Sequence, residues 1–169
     1  MNEKLQGLAP VADAGTRVLV LGSFPSVASL KAQQYYGHPQ NHFWKILGAL
    51  WGEPLDKKDY VERKQALLRH GLGVWDVYAA CERQGSLDAN IRHAEPNDLG
   101  ALIASCPKLQ AIAHNGGESF RHARVTGAFG LPVHKLPSTS PANASWSFER
   151  KLAAWRDVLG RYGLCDACT

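Results

Sequence analysis

Five short stretches of the chain gather side chains able to bind or polarise a ligand: GSFPS at 22–26, YYGHPQN at 35–41, WDVYAA at 75–80, HNGG at 114–117 and LPSTSPANAS at 136–145. Their principal polar members are Ser23, Ser26, Tyr35, Tyr36, Asn41, Asp76, His114, Asn115, Ser138 and Ser140. Hydroxyls, amides and a single carboxylate suit recognition of a polar, mostly uncharged group and the orientation of a water molecule. The chain has no GxGxxG, GxxxxGK[ST] or GxSxG, which argues against a dinucleotide fold, a P-loop and an acyl-transferring serine. Cys165 and Cys168 form a CxxC, but no second CxxC is present to complete a tetrahedron; no metal and no cofactor are expected. Without a secretory signal, the four cysteines read as reduced thiols.

These groups need a scaffold, and the apolar pattern supplies one. Arg17 to Gly22 contains the unbroken run VLVL, as a strand buried on both faces requires. The connection from Ser23 to about Asn41 far exceeds the usual length of about 4–6 residues, so it reads as a long functional loop. A helix opening near Asn41 carries Phe43, Ile46, Leu47 and Leu50 on one face before Gly52 and Pro54 break it. A second helix spans about 56–69, with Gly71 beyond it, and a strand follows over 73–79. Further on, the spacing predicts a helix over 99–105, a strand over 109–113, a helix over 118–124, a strand over 133–136 and a last helix over 148–162. Leu152, Trp155 and Leu159 repeat on one face of that last helix.

Alternating strands and helices imply a three-layer α/β/α sandwich with a central four-stranded parallel sheet. Such sheets bind ligands beyond the carboxyl ends of their strands, where the polar stretches would lie. With 169 residues, 45% of them hydrophobic and 20% charged, residues 1–169 read as a single folded domain without repeat, linker or low-complexity tract. The net charge of +4 and pI near 8.9 favour a polyanionic partner, since phosphates neutralised by Lys and Arg release counterions. MNEKLQGLAPVADAG lacks a signal-peptide core, and no later run reaches the roughly 20 apolar residues of a membrane span, so no membrane association and a cytoplasmic location are expected.

GSFPSVASLKAQQYYGHPQNHFWKIL resembles motif 1 of the uracil-DNA glycosylase superfamily, and HPQNHFWK within it is similar to the matching stretch of the mismatch-specific members. LPSTSPANASWSFERKLAAWRDVL resembles the motif 2 region, a proline and small-residue loop opening the last helix. Together with WDVYAACERQGSLDANI and HNGGESF, the likeness is greatest to the sixth family, the hypoxanthine-DNA glycosylases, and covers nearly the whole chain. The resemblance implies the uracil-DNA glycosylase-like version of the sandwich, a monomer, and excision of a deaminated base from DNA in base excision repair. A uracil or mixed-specificity glycosylase and a non-catalytic binder of damaged or single-stranded DNA are the alternatives.

The resemblance also assigns roles. Mismatch-specific enzymes keep a catalytic asparagine in the turn that here reads GSFPS, and that position falls on Phe24, whose ring cannot orient water. The hypoxanthine enzymes place theirs in the stretch reading GHPQN, which maps to Asn41; an Asn before a helix is equally at home as its cap. Tyr36 falls where a stacking phenylalanine occurs, and Tyr35, Phe24 and Ser23 are neighbouring base-binding candidates. Hypoxanthine displays O6 as acceptor and N1–H as donor, the reverse of adenine, so either Asn115 or Asp76 could read it. Uracil shows the same pair, leaving pocket width to separate the two bases. His114 is a candidate proton donor to the leaving base. Ser138, Thr139, Ser140, Pro141, Ala142 and Asn143 form the candidate DNA-binding loop, offering N–H groups and hydroxyls to phosphates and a wedge for the vacated stack. Lys31, Lys45 and Lys135 have no placement suited to a lyase step, so the reaction is expected to be simple hydrolysis. Ser86 and Asp88 in GSLDANI belong to the resemblance without a derivable role.

Overall fold

A computed structural model of the chain describes residues 3–166; Cys168 of the CxxC lies outside them. In chain order the elements are β1 (Lys4–Gln6), β2 (Val18–Gly22), α1 (Val27–Ala32), α2 (Phe43–Trp51), α3 (Tyr60–His70), β3 (Leu72–Asp76), β4 (Tyr78–Glu82), β5 (Arg92–Pro96), α4 (Leu99–Ala104), β6 (Ala111–Asn115), α5 (Gly117–Phe120), α6 (Ala123–Gly127), β7 (Val133–Leu136) and α7 (Phe148–Arg161). Four strands make a parallel sheet in the order β3-β2-β6-β7, as the alternation implied.

Period-two alternation along the buried strands sorts their side chains onto two faces. Val18, Val20, Val74, Ala113 and Leu136 pack beneath α2, α3 and α7 with Phe43, Ile46, Leu47, Leu67, Trp155 and Leu159. Leu19, Leu21 and Ile112 point the other way, against Phe24, Val77, Cys81, Leu99 and Leu109. Side-chain oxygens cap four helices: Ser26 for α1, Asp59 for α3, Asp98 for α4 and Ser147 for α7 each accept a first-turn N–H. Gly52 and Gly71, in left-handed conformations, close α2 and α3.

The structure departs from the sequence reading in several places, among them the second helix, which begins at Tyr60 after a separate turn at Leu55–Lys57, and the unforeseen strands β1 and β5. The long connection after β2 is not a bare loop, because α1 occupies its first half and ends at left-handed Gln33. The strand expected over 73–79 is two: β3 stays in the parallel sheet, and after Val77 the chain enters β4, the middle of a separate antiparallel sheet ordered β1-β4-β5. The strand expected over 109–113 begins two residues later, so His114 and Asn115 belong to β6 itself. The helix expected over 118–124 is broken into α5 and α6.

Candidate active site

The parallel register sets the strand ends side by side, with Gly22 opposite Asp76, Leu21 opposite His114 and Asn115 opposite Leu136. Beyond them opens a cavity of about 810 Å³, walled by all five polar stretches. Its floor at the β2–β3 end depends on a glycine. A Cβ at Gly22 would lie 2.5 Å from Asp76 Oδ1, so only glycine lets this carboxyl group tuck under the strand exit. Asp76 is 4% exposed and its Oδ2 has no hydrogen-bond partner. Burial, reinforced by the negative charge of Asp88 and opposed by Arg83, pushes its pKa up to about 7.

Tyr36 adjoins it. The residue takes a left-handed backbone conformation (φ 53°), stacks on Phe43 with ring centroids 3.9 Å apart, and leaves its hydroxyl buried and unpartnered. Burial and the neighbouring Asp76 raise its pKa, opposed by the nearby Asn115 amide, which does not reach it in good hydrogen-bond geometry. Phe43 covers one face of the ring. Tyr35 serves a different end: its hydroxyl reaches the Leu8 and Ala9 carbonyls (3.1 and 2.8 Å) and its carbonyl accepts from Trp44 Nε1 (3.0 Å), which anchors the loop to the core. Phe24 also reaches the cavity, although most of its ring packs in the second core, with Arg83 5.3 Å above it.

Asn41 lies on the wall, one residue before His42, the N-cap of α2, and its side chain holds the first N–H of that helix. Its side-chain oxygen accepts from Phe43 N–H at 2.9 Å, which fixes which end of the amide is oxygen, and its Nδ2 makes no hydrogen bond within the described residues. The next residue ties this loop to the motif 2 segment, His42 N–H donating to the Thr139 carbonyl at 3.0 Å. Thr139 in turn closes a two-bond ring with Asn115: Thr139 N–H donates to Asn115 Oδ1 and Asn115 Nδ2 to Thr139 Oγ1, both at 3.0 Å. Gly116 (φ 98°) permits the approach, since a Cβ there would meet Ser138 Cβ at 3.0 Å.

The motif 2 segment is braced largely by its own atoms. Ser138 Oγ accepts from Ser140 N–H, Ser140 Oγ from Ala142 N–H, and Asn143 Nδ2 donates to the Ser138 carbonyl, each at 3.1 Å. The N–H groups of Thr139, Ser140, Ala142 and Asn143 are thereby engaged inside the protein, contrary to the expectation that they face phosphates. The Ser138 and Ser140 hydroxyls, each accepting internally, keep a proton to donate outward.

His114 does not reach the cavity. It is wholly buried between β6 and the α5–α6 segment, with Nδ1 2.7 Å from Ser119 Oγ and Nε2 2.8 Å from Thr126 Oγ1. Ser119 Oγ donates to the Leu21 carbonyl, so it accepts from Nδ1, and the ring sits neutral with Nε2 as acceptor. Burial, then the charge of His122, lowers its pKa to about 4. The proton-donor role expected of it is therefore withdrawn: an enclosed, neutral imidazole with both nitrogens engaged positions β6 instead. Beside Asn41, His38 Nδ1 accepts from Gln40 N–H at 3.1 Å and His42 Nδ1 faces Lys151 Nζ at 3.2 Å. Among the described residues no cluster of three metal-ligating side chains occurs.

Sequence reasoning missed two contributors. Lys151 is 1% exposed, and its ammonium joins His42 Nδ1 to the Ser140 carbonyl, bracing the Asn41 loop against motif 2. Nothing in a lone lysine of an amphipathic helix signals this. Ser86, Leu87, Asp88 and Ala89 form a further wall, held by a 2.6 Å hydrogen bond from Ser23 Oγ to Asp88 Oδ1; the resemblance had marked Ser86 and Asp88 without showing this place for them.

With this architecture and cavity, the chain belongs to the uracil DNA glycosylase superfamily, whose family model matches residues 9–159. Its curated relatives narrow the placement. A hypoxanthine DNA glycosylase of Methanosarcina barkeri is 37% identical over 158 residues, covering 94% of this chain and 99% of the relative. A second, from Methanosarcina acetivorans, is 37% identical over 154 residues, covering 91% and 97%. The solution NMR structure of a candidate uracil DNA glycosylase from Methanosarcina acetivorans superposes with a TM-score of 0.85 at 36% identity, covering 95% of this chain and 99% of that one.

Proposed function

We infer that this chain is a hypoxanthine DNA glycosylase, hydrolysing the bond between the base and its deoxyribose in DNA. The observation that carries the reading is the pair of buried polar atoms left unpartnered on the cavity floor, Asp76 Oδ2 and Tyr36 Oη, with Asn41 on the wall above. Buried groups without partners are rare in folded proteins and mark where a ligand completes the hydrogen bonding. Hypoxanthine fits them: its N1–H donates to the Asp76 carboxylate, and the Asn115 amide, which lies beside the Tyr36 hydroxyl, turns its second N–H to O6. Adenine, with an acceptor at N1 and a donor at C6, offers the opposite pattern and is rejected.

Loss of the base leaves positive charge on the sugar. The carbonyl of Asn41, held by the Phe43 N–H through one lone pair, accepts from a water through the other and turns that water's oxygen toward C1′. The water adds to C1′ as the bond to N9 breaks, the bonding pair leaves with the base, and the proton released by the water goes to solvent. No covalent intermediate with the protein is formed. The hydroxyls of Ser138 and Ser140 serve the flanking phosphates, and Tyr36 supplies the stacking surface for the extruded base. The enzyme acts as a monomer in this reading.

The test is direct. Oligonucleotides carrying one hypoxanthine or one uracil are incubated with the protein and treated with alkali, which breaks the strand at abasic sites. Strand scission at hypoxanthine exceeding that at uracil is expected; scission at uracil alone would shift the substrate, and tight binding without scission would make the chain a binder of damaged DNA.

A further inference from the structure

Beside the cavity already described lies a second, of about 500 Å³, between the Asn41 loop and the start of α7, and the reaction as derived gives it no task. Its volume falls within the range of about 300–1,000 Å³ usual for small-molecule sites. Asn143 and Trp146 line both cavities and so form the partition between them. A strand that holds one nucleotide in the first cavity carries its next nucleotide past Trp146 to the second.

The walls of the two cavities differ in chemistry. The first has the Asp76 carboxyl group on its floor, whereas among the described residues no carboxylate lines the second. The rings of Trp146, Phe148 and His42 supply its large faces, and Lys45 and Lys151 are its charged members. His42 and Phe148 meet edge to face with centroids 5.3 Å apart, and the Arg150 guanidinium lies 4.1 Å from the centroid of Trp146. Burial and the two lysines lower the pKa of His42, with Glu149 opposing, so its ring adds a neutral aromatic surface. Lys151 engages His42 Nδ1 and the Ser140 carbonyl, which leaves one of the three N–H donors of its ammonium free. Aromatic rings beside cations make up the sites that hold unpaired nucleotides, where a base stacks on a ring and its phosphate meets an ammonium.

We propose that this cavity is a second nucleotide subsite, which holds the base next to the lesion against Trp146 with its phosphate at Lys45 and Lys151, and that the substrate class is therefore single-stranded DNA. The proposal rests on the base-excision reading given above and names the form of DNA that it acts on. In a duplex the neighbouring base is paired as well as stacked, and both must be given up before it can enter the subsite. A single strand gives up stacking alone and regains it on the indole.

The test removes one base at a time. Deoxyinosine is placed in a short single strand, and the nucleotide on its 5′ or its 3′ side is replaced by tetrahydrofuran, which deletes that base and keeps its phosphate. With the wild-type protein, replacement on one of the two sides should raise KM roughly tenfold, and kcat/KM on the intact single strand should exceed that on the duplex by at least as much. In Trp146→Ala the penalty for the missing neighbour should shrink to within about twofold, and Trp146→Phe, which keeps an aromatic face, should restore most of it. Lys45→Gln, at an exposed position, should weaken binding of every strand and lower the slope of log K against log salt by about 0.7. A second readout needs no cleavage: by fluorescence anisotropy, affinity for a strand with tetrahydrofuran at the lesion position should fall by the same factor when that one neighbouring base is also removed. No penalty on either side with the wild type, a penalty that Trp146→Ala leaves intact, or excision from the duplex as fast as from the single strand would each overturn the subsite. If the wild-type protein excises no base at all, the enzymatic reading falls instead, and the anisotropy still decides whether the second cavity holds a base.

Discussion

The two ends of the strand row are built on opposite principles. At the β6–β7 end, Asn115, Thr139, Ser138, Ser140 and Asn143 bond to one another, and the polar groups that shape the loop are matched within it. At the β2–β3 end, Asp76 and Tyr36 are buried beside each other with a carboxyl oxygen and a hydroxyl unmatched. An unsatisfied buried polar atom costs about 1–3 kcal/mol, so the second arrangement is a standing loss of stability unless something binds there. The first end is a scaffold that holds its own shape and, in the proposed reading, adds only spare N–H and O–H donors to the substrate; the second, the receptor, leaves buried groups for the base to match. Asn41 belongs to both, since its oxygen holds the first N–H of α2 while its side chain faces the cavity.

That double membership predicts the largest effect. Asn41→Ala should slow single-turnover excision about 100-fold or more, as loss of a group that aligns the attacking water does, while binding to lesion-bearing DNA weakens far less. It should also lower stability by about 1 kcal/mol through loss of the hydrogen bond from the Phe43 N–H. Asn41→Asp keeps an acceptor for the Phe43 N–H, so it separates the two: restored melting temperature with excision still impaired assigns the rate loss to the amide. Unchanged turnover in Asn41→Ala would remove Asn41 from the mechanism.

Asp76→Asn sharpens the comparison from the receptor end. The native carboxyl group, with its pKa raised to about 7, is ionised above that value and protonated below. If the carboxylate accepts hypoxanthine N1–H, wild-type kcat/KM rises with pH through about 7, and Asp76→Asn loses both that dependence and about 10- to 100-fold in kcat/KM at pH 8. Stability should move the other way. The folded pKa lies above the unfolded one of about 3.9, so between these values the folded state binds more protons and stability declines as pH rises through 7. Asp76→Asn removes the buried charge, and denaturant titration at pH 8 should show it more stable than the wild type by about 1–3 kcal/mol, with the gap closing at pH 5. A variant that is both less active and less stable at pH 8 would mean that Asp76 is structural.

How legible these two ends were in the sequence follows from the range of the interactions that make them. The parallel sheet could be read from VLVL and the alternation of elements, because burial of a strand on both faces leaves a local mark. The break at Val77 could not, because nothing in GVWDVYAA shows that the chain changes sheets; pairing of β4 with β1 and β5 decides it, and β5, RHAEP, is exposed at every position and has no alternation to read. Asp76, Asn115 and the motif 2 serines stood out by residue type and by position after a strand. Which of them are matched and which are orphaned is set by partners up to 24 residues away, such as Thr139 for Asn115, and was invisible. His114 misled for the same reason: its partners Ser119 and Thr126 are polar residues of unremarkable type, and only their placement around the ring makes it a core residue.

A smaller effect is expected at the scaffold end. Thr139→Val keeps the shape but removes the hydroxyl that accepts from Asn115 Nδ2, leaving that N–H without its partner; stability should drop by about 1 kcal/mol and excision by a few-fold at most. A loss as large as that of Asn41→Ala would erase the division between scaffold and receptor.

The smallest expected effect on activity near neutrality belongs to His114, and it bounds the site from behind. Its folded pKa of about 4 lies below the usual value near 6.5, so the unfolded state binds more protons between the two. The stability that enclosure gives the neutral ring is therefore fully present above about 6.5 and is lost as pH falls toward 4. Over pH 6.5 to 8 the folded ring carries no charge and donates no proton to a leaving base. NMR titration of the His114 ring should show flat shifts down to about pH 5.5, and the rise of kcat/KM through about pH 7 should then be traceable to Asp76 alone by its absence in Asp76→Asn. A His114 midpoint near 6.5 would place the ring in contact with solvent, and with it the back wall of the cavity would open.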